Sequence, residues 1–233
     1  MSALPKTYRA AEAVAQGKLQ IIEVPLKPLK SGEVLIKVEA CGVCHSDCFT
    51  VEGNIIPVGT KRPGHEVIGR VVAVDPNAKR WKVGDRVGAG WHGSHCFECD
   101  SCLRGSFITC EKHGITGVTK DGGFAEYLTA NWESLARIPD SLDSKIAAPL
   151  MCAGVTVFNS LRSLKLSPGA LVAVLGIGGL GHLAIQYANR SGYRVVAVSS
   201  GDDKRELAKE LGAHHYINSK TSKVGDELLK LGG

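Results

Sequence analysis

The stretch LVAVLGIGGLG, residues 171–181, restricts the possible folds of this chain more than any other segment. A run of β-branched and aliphatic residues ends in Gly176, Gly178 and Gly181, spaced G-x-G-x-x-G, with Gly179 and Leu180 inside the motif. An apolar helical pattern over 179–191 follows it. In a strand–turn–helix setting those glycines let the backbone approach a pyrophosphate, and the helix N-terminus supplies N–H groups and a positive dipole. A strand over 194–199, a helix over 202–211, a short strand at 215–217 and helical residues 222–230 continue the alternation. The order β-α-β-α-β predicts a parallel, doubly wound sheet.

The first ~140 residues have another texture. Apolar runs separated by Pro and Gly lie at 18–40, 66–74, 81–88, 124–129 and 135–138, which predicts a β-rich part with long loops. Residues 141–164 have helical spacing and end at Ser167-Pro168-Gly169. We therefore divide the chain at 1–150 and 151–233.

Eight cysteines in 233 residues need an explanation. With no secretory signal at the start, they point to metal or catalysis in a cytoplasmic protein before disulfides. The apolar stretch 169–188 nears the length of a membrane span, but five glycines interrupt it. A net charge of +5 without a basic block does not indicate nucleic acid or an anionic membrane as a partner.

Cys96, Cys99, Cys102 and Cys110 are spaced C-x2-C-x2-C-x7-C. Two-residue gaps wrap thiolates around one ion, and a fourth closes a tetrahedron with no open position, so this set reads as a structural zinc site. Iron–sulfur proteins space their cysteines differently. Cys44, His65 and Cys152 together would make a catalytic zinc site of two thiolates, one imidazole and a vacant position. Spacing alone leaves the ordinary readings equally open: loop thiols, a capped loop histidine and a buried helix thiol.

In order, the motifs GVCHSD, PGHEVIG, the four-cysteine run, PLMCAGVT and GIGGLGHLAIQYA resemble the zinc-dependent medium-chain alcohol dehydrogenase family, in its microbial or cinnamyl-alcohol-dehydrogenase-like branch. The likeness covers nearly the whole chain. It implies a GroES-like catalytic domain followed by a Rossmann domain, two zinc ions, NADP or NAD, and a small alcohol, aldehyde or ketone as substrate, with a homo-oligomer for a full-length form. It matches Cys44, His65 and Cys152 to the catalytic zinc ligands, and Glu66 to a carboxylate that approaches the zinc during ligand exchange. Asp47 matches the carboxylate that orients the ligand histidine, and Ser46 the hydroxyl that takes the alcohol proton. His45 matches a contact to the cofactor pyrophosphate, Thr156 a residue near the nicotinamide, and Trp91 a wall of the substrate pocket or an ordinary packing residue. Two positions depart from the pattern. Phe49 stands where a relay histidine is common, and Asp75 stands where glycine or alanine is preferred, which should affect only a turn.

Ser199, at the end of the second strand of the nucleotide-binding part, lies where NAD enzymes carry an acid for the ribose hydroxyls. Lys204 and Arg205 follow, so a 2′-phosphate meets a cation and no fixed repulsion, which favours NADP over NAD. Asp202 and Asp203 are the opposing signal unless they cap the helix over 202–211. A doubly wound domain needs two halves, and the chain holds about one before Leu231-Gly232-Gly233. The expectation is thus a nucleotide-binding domain cut short, with weakened turnover. An inactive relative that serves as a zinc-stabilised binding or scaffold protein is the rival reading.

Overall fold

A computed structural model describes residues 4–54 and 62–233. The chain divides into two units, Met1–Cys152 and Ala153–Gly233.

The first unit opens with an antiparallel hairpin, β1 (Thr7–Ala15) and β2 (Lys18–Pro25). Next come β3 (Glu33–Cys41), a 3₁₀ turn at His45–Asp47, a one-turn helix α1 (Cys48–Val51), β4 (Val67–Val74), β5 (Arg86–Ala89) and β6 (His92–Ser94). A second one-turn helix α2 (Asp100–Leu103), β7 (Gly114–Ile115), β8 (Tyr127–Asn131), β9 (Leu135–Arg137) and a third short helix α3 (Ser144–Ala147) complete it. Five strands form an antiparallel sheet in the order β8-β3-β4-β5-β9, and β6 pairs with β7 separately. The core is built from alternate strand positions, Val34 and Ile36 of β3, Val67 and Val71 of β4, Val87 of β5 and Leu128 of β8, together with Trp81. The register of β3 against β4 slips twice, between Leu35 and Ile36 and between Val38 and Ala40. Such bulges coil a sheet and redirect its strand ends.

The strand expected over 81–88 begins only at Arg86. Residues 78–85 make turns instead, with the Trp81 amide bonded to Ala78 O, and the Trp81 indole is buried and donates to Trp132 O at 2.8 Å. The helical stretch expected over 141–164 is broken. Asp143 caps α3, accepting from the amides of Lys145 and Ile146. A 3₁₀ turn at Ala148–Met151 follows, with Pro149 near its start, and Cys152 leaves helical geometry at φ −123, ψ −78. Proline has no N–H to carry the α-helical ladder, so the break falls there.

The second unit starts with α4 (Ala153–Ser163), then β10 (Leu171–Leu175), α5 (Gly179–Arg190), β11 (Arg194–Ser199), α6 (Arg205–Glu210), β12 (His215–Asn218) and α7 (Val224–Lys230). The three strands are parallel, in the order β10-β11-β12. The central strand β11 is buried on both faces. Val195 and Ala197 pack with Ile185 and Ala188 of α5, while Val196 and Val198 pack with Ile217 and Leu228. That is why RVVAVS reads as an unbroken apolar run. The helix expected from residue 202 starts at Arg205, and its N-cap is Lys204 with no side-chain cap. Asp202 therefore does not cap it; its carboxylate pairs with Arg205 and accepts from Asn218 Nδ2 at 2.8 Å. Among the described residues no helix is long and apolar enough to cross a membrane.

Candidate functional site

The first unit gathers one set of donors at the end of β3 and the start of β4. Gly42 bonds its amide to Glu66 O at 2.9 Å, which draws the loop after β3 against His65 and Glu66. Asp47, only 5% exposed, organises this junction. Its carboxylate accepts from the Cys44 amide (2.9 Å), the Gly64 amide (3.0 Å) and His65 Nδ1–H (2.9 Å). Gly64 adopts φ +104, where a side chain would be strained and its Cβ would lie 2.7 Å from Phe124. Trp91 meets the His65 ring edge to face, centroids 5.0 Å apart at 88°.

With Nδ1 committed to Asp47, the His65 tautomer is set and Nε2 faces the remaining donors. His65 is 1% exposed, and its Nε2 has no hydrogen-bond partner. One ligand atom each from Cys44, His65, Glu66 and Cys152 lies within 4.8 Å of the others. The two sulfurs are 3.9 Å apart. A disulfide requires about 2.05 Å, whereas two thiolates on one tetrahedral zinc lie about 3.8 Å apart.

Burial and hydrogen bonding shift the protonation of these groups in opposite directions. Burial opposes a charged imidazole, yet the Asp47 hydrogen bond and the neighbouring Cys152 sulfur outweigh it and push His65 up to about 10. Burial also opposes a Cys44 thiolate, but hydrogen bonds from Ser46 and the nearby His65 pull this thiol below its ordinary value. The Glu66 carboxyl is pushed up, chiefly by burial. Glu66 lies over Gly42, where a Cβ would fall 1.9 Å from its Oε2. Two sulfurs and a buried imidazole nitrogen at this spacing suit a zinc ion.

The second set is local. Cys96, Cys99, Cys102 and Cys110 bring all four sulfurs within 4.8 Å. Sulfur–sulfur distances are 3.5 Å (Cys96–Cys110), 3.6 Å (Cys99–Cys102) and 3.9 Å (Cys96–Cys102). Backbone amides point at the sulfurs, Cys99 N to Cys96 Sγ at 3.4 Å and Lys112 N to Cys110 Sγ at 3.3 Å. Four sulfurs at tetrahedral spacing, with backbone N–H groups directed at them, suit a closed zinc site.

In the second unit the glycines act as the motif requires. Gly176 takes φ +84 and donates its amide to Val198 O at 2.8 Å. A Cβ on Gly181 would sit 1.8 Å from Gly176 O, so α5 approaches the turn only because residue 181 is glycine. Around Gly178 and Gly179 a Cβ would meet nothing within 4 Å, which leaves the start of α5 open to a ligand. Lys204 Nζ donates to Ile177 O at 3.1 Å, placing its ammonium at the glycine-rich turn. Ser199 closes β11, and its carbonyl accepts from the Ser219 amide at 2.9 Å. Arg205 lies over the Tyr216 ring at 4.5 Å.

The remaining candidates are placed as follows. Ser46 and exposed His45 share the 3₁₀ turn with Asp47, and Phe49 follows on α1. Thr156 is exposed on α4. Asp75 serves a turn, accepting from the amides of Gly32 and Asn77, each at 2.9 Å. Sequence reasoning overlooked Gly42, whose small size is legible only once Glu66 lies above it. It also overlooked His92, His95 and His113, which no known motif connects.

Comparison with known proteins identifies the family. Residues 30–140 match the alcohol dehydrogenase GroES-like domain family, and residues 179–233 match the zinc-binding dehydrogenase family. An alcohol dehydrogenase of Penicillium expansum is 48% identical over 234 aligned positions, covering 100% of this chain and 68% of its own length. The chain belongs to the zinc-dependent medium-chain alcohol dehydrogenase family. Another alcohol dehydrogenase of this family, from Aspergillus clavatus, is 50% identical over the whole chain, which spans 60% of its length. Among solved structures, a cinnamyl alcohol dehydrogenase from Sorghum bicolor superposes with a TM-score of 0.82 at 34% identity, covering 91% of this chain and 64% of that one. A Helicobacter pylori relative solved with NADP(H) gives a TM-score of 0.85 at 25% identity, covering 93% and 66%. Both units thus follow the architecture of medium-chain dehydrogenases: a GroES-like domain, then parallel strands of the Rossmann type.

Proposed function

We propose that this chain carries the catalytic machinery of a cytoplasmic, zinc-dependent alcohol dehydrogenase that interconverts a primary or secondary alcohol and its aldehyde or ketone, with NADP(H) preferred over NAD(H). The observation that carries the proposal is the unpartnered His65 Nε2, buried and aimed at the cluster that contains Cys44 and Cys152. In this reading Cys44, His65 and Cys152 hold the catalytic zinc, and Cys96, Cys99, Cys102 and Cys110 hold the structural one. The bound zinc supplies Lewis acidity toward a substrate oxygen, and the nicotinamide supplies hydride chemistry.

The chain's own residues do the rest. Asp47 fixes the His65 tautomer and ring orientation and raises the basicity of Nε2. Glu66, with its raised pKa, sits beside the donors as a carboxyl that can change its charge there. The Ser46 hydroxyl receives the alcohol proton. With Phe49 in place of a relay histidine, no imidazole follows Ser46 on α1, and the onward acceptor would be a cofactor ribose hydroxyl, water or another base. Trp91 packs against His65 and walls the site on that side. At the cofactor end, Gly176, Gly178, Gly179, Leu180 and Gly181 would receive the pyrophosphate at the start of α5; the family resemblance assigns His45 to the pyrophosphate and Thr156 to the nicotinamide. Ser199 and Lys204 receive the 2′-phosphate. The Asp202 carboxylate is paired with Arg205, which reduces its repulsion of that phosphate.

Elemental analysis of the purified protein, with NADPH and NADH titrated by fluorescence, tests this reading. We expect about two zinc per chain, one fewer in Cys44→Ser. We also expect tighter binding of NADPH, with the preference moved toward NADH in Ser199→Asp. One zinc per chain regardless of Cys44, or tighter binding of NADH by the unaltered protein, refutes the corresponding half.

A further inference from the structure

Two histidines bracket the four-cysteine loop: His95 immediately precedes Cys96, and His113 lies three residues past Cys110. Both are bonded to one ring on β6. His92 Nδ1 lies 2.9 Å from His113 Nε2, and His92 Nε2 lies 2.9 Å from His95 Nδ1. Ring centroids are 4.9 Å (His92–His113) and 5.1 Å (His92–His95) apart, with interplanar angles of 19° and 33°. Nitrogen contacts this short with centroids near 5 Å mean that the rings meet edge to edge through N–H···N bonds. The three imidazoles form a chain, and the two His92 nitrogens point in opposite directions. The cluster therefore does not converge on a single ion; it joins the two ends of the loop through one side chain.

The residue before His92 faces the other donor set. Trp91 and His92 are neighbours, yet the Trp91 ring packs on His65 while the His92 ring joins His95 and His113. Alternation along an extended segment sends successive side chains to opposite sides. A single dipeptide thus touches the imidazole of one metal set and the neck of the other.

We propose that His92 is a positioning residue whose imidazole ties together the two ends of the four-cysteine loop and fixes Trp91 against His65. The inference rests on the reading above that this loop holds a metal. The proton count supports it. The two inter-ring bonds use one N–H each, and with one ring nitrogen donating and the other accepting at His92 they run in a common direction. Burial, reinforced by the two neighbouring imidazoles, pushes His92 down to about 4, so the middle ring is neutral and donates from one nitrogen while accepting at the other. The buried Nε2 of His95 is left without a partner, which makes it the terminus of the chain. The aromatic rings of Phe97 and Phe107, each 4.1 Å from His95 between centroids, hold that last imidazole in place.

Metal release to a chromophoric chelator tests the proposal on the zinc-loaded protein, with Cys44→Ser identifying the phase that belongs to the four-cysteine loop. His92→Phe keeps a ring and removes both nitrogens, so we expect release from the loop to accelerate about ten- to a hundredfold, the equivalent of the two lost hydrogen bonds. His92→Gln keeps one donor and one acceptor and should fall between. Release from His92→Phe at the unaltered rate overturns the proposal. Should His92→Phe not fold, the unaltered protein labelled with ¹⁵N-histidine decides: two imidazole N–H protons protected from solvent exchange besides that of His65, which is bonded to Asp47, support the chain, and rapid exchange of either overturns it. A loop without metal in a protein that still shows both of these protected protons besides that of His65 refutes the metal reading and leaves the histidine chain standing.

Discussion

Asp47→Asn separates the work of a buried carboxylate from that of the metal donors it holds. Asp47 accepts three bonds, two at Oδ1 from Gly64 N and His65 Nδ1 and one at Oδ2 from Cys44 N. An asparagine carbonyl placed at Oδ1 keeps the first two at neutral strength. Its NH2 then faces the Cys44 amide, donor against donor. Weakening two bonds from charged to neutral costs about 1 kcal/mol each, and leaving the Cys44 amide without an acceptor costs about 1–3 kcal/mol, so the site loses about 3–5 kcal/mol of support. Part of this falls on folding. The part borne by His65 basicity and by the Cys44 loop should weaken metal binding about 10–100-fold, the usual effect of removing a carboxylate behind a ligand histidine. The protein contains its own control, because Asp47 makes no hydrogen bond to the four-cysteine loop. Competition titration against a chelator of known affinity should resolve two metals in the unaltered protein and weaken only one of them in Asp47→Asn. Equal weakening of both would mean general destabilisation. Unchanged affinity at the Cys44 set would refute the reasoning outright.

Two further outcomes are expected. Gly181→Ala places a methyl 1.8 Å from Gly176 O, so α5 must withdraw by roughly 1.5 Å to reach ordinary C···O contact. That should lower stability by about 1–3 kcal/mol and weaken NADPH binding at least about tenfold, whereas Gly179→Ala, with open space around its Cβ, should melt like the unaltered protein. Equal melting temperatures for the two variants would contradict the close approach. Glu39 joins β3 to the following elements, accepting from Ser144 Oγ at 2.6 Å and pairing with Arg70 and buried Arg86. Burial alone would raise its pKa, but these bonds and charges hold it below its ordinary 4.5. Stability from Glu39 is therefore fully present above the unfolded-state pKa and lost as pH falls through the folded one. Denaturant unfolding of Glu39→Gln should show a loss of about 1–2 kcal/mol at pH 7 that shrinks below about pH 4. A loss independent of pH would exclude the carboxylate as its source.

What could be read from the sequence depended on how local the cause was. The glycine turn, the parallel strands and the four-cysteine spacing are each decided within about thirty residues, and they are legible for that reason. The first strand, TYRAAEAVA, was not legible. It buries Ala10 and Ala13, residues too small to give an apolar alternation. Trp81 read as part of a strand because its neighbours are apolar, whereas its burial comes from a loop docked under Trp132. The break at Cys152 depends on Pro149 inside a segment whose apolar spacing is otherwise helical. Cys44, His65 and Cys152 were grouped by resemblance, since no spacing rule relates residues that meet only after a five-stranded sheet has closed. The Lys204 contact to Ile177 O puts its ammonium near the glycine turn, which sequence could suggest only through the identity of the residue.

The two sulfur-bearing sites also differ in how much chain each must close. Cys96 and Cys110 are 14 residues apart, while Cys44 and Cys152 are separated by 108. Chain closure grows more costly with the logarithm of length, so the longer loop costs about 1.8 kcal/mol more entropy than the shorter. The short loop can form its sulfur cage while the remainder is still a coil. The long one has no comparable local nucleus, because its donors are held by β3, by the start of β4 and by the turn before Cys152. The sequence separations therefore favour early closure of the short four-cysteine loop, whereas Cys44 and Cys152 meet only when the elements that carry them have packed.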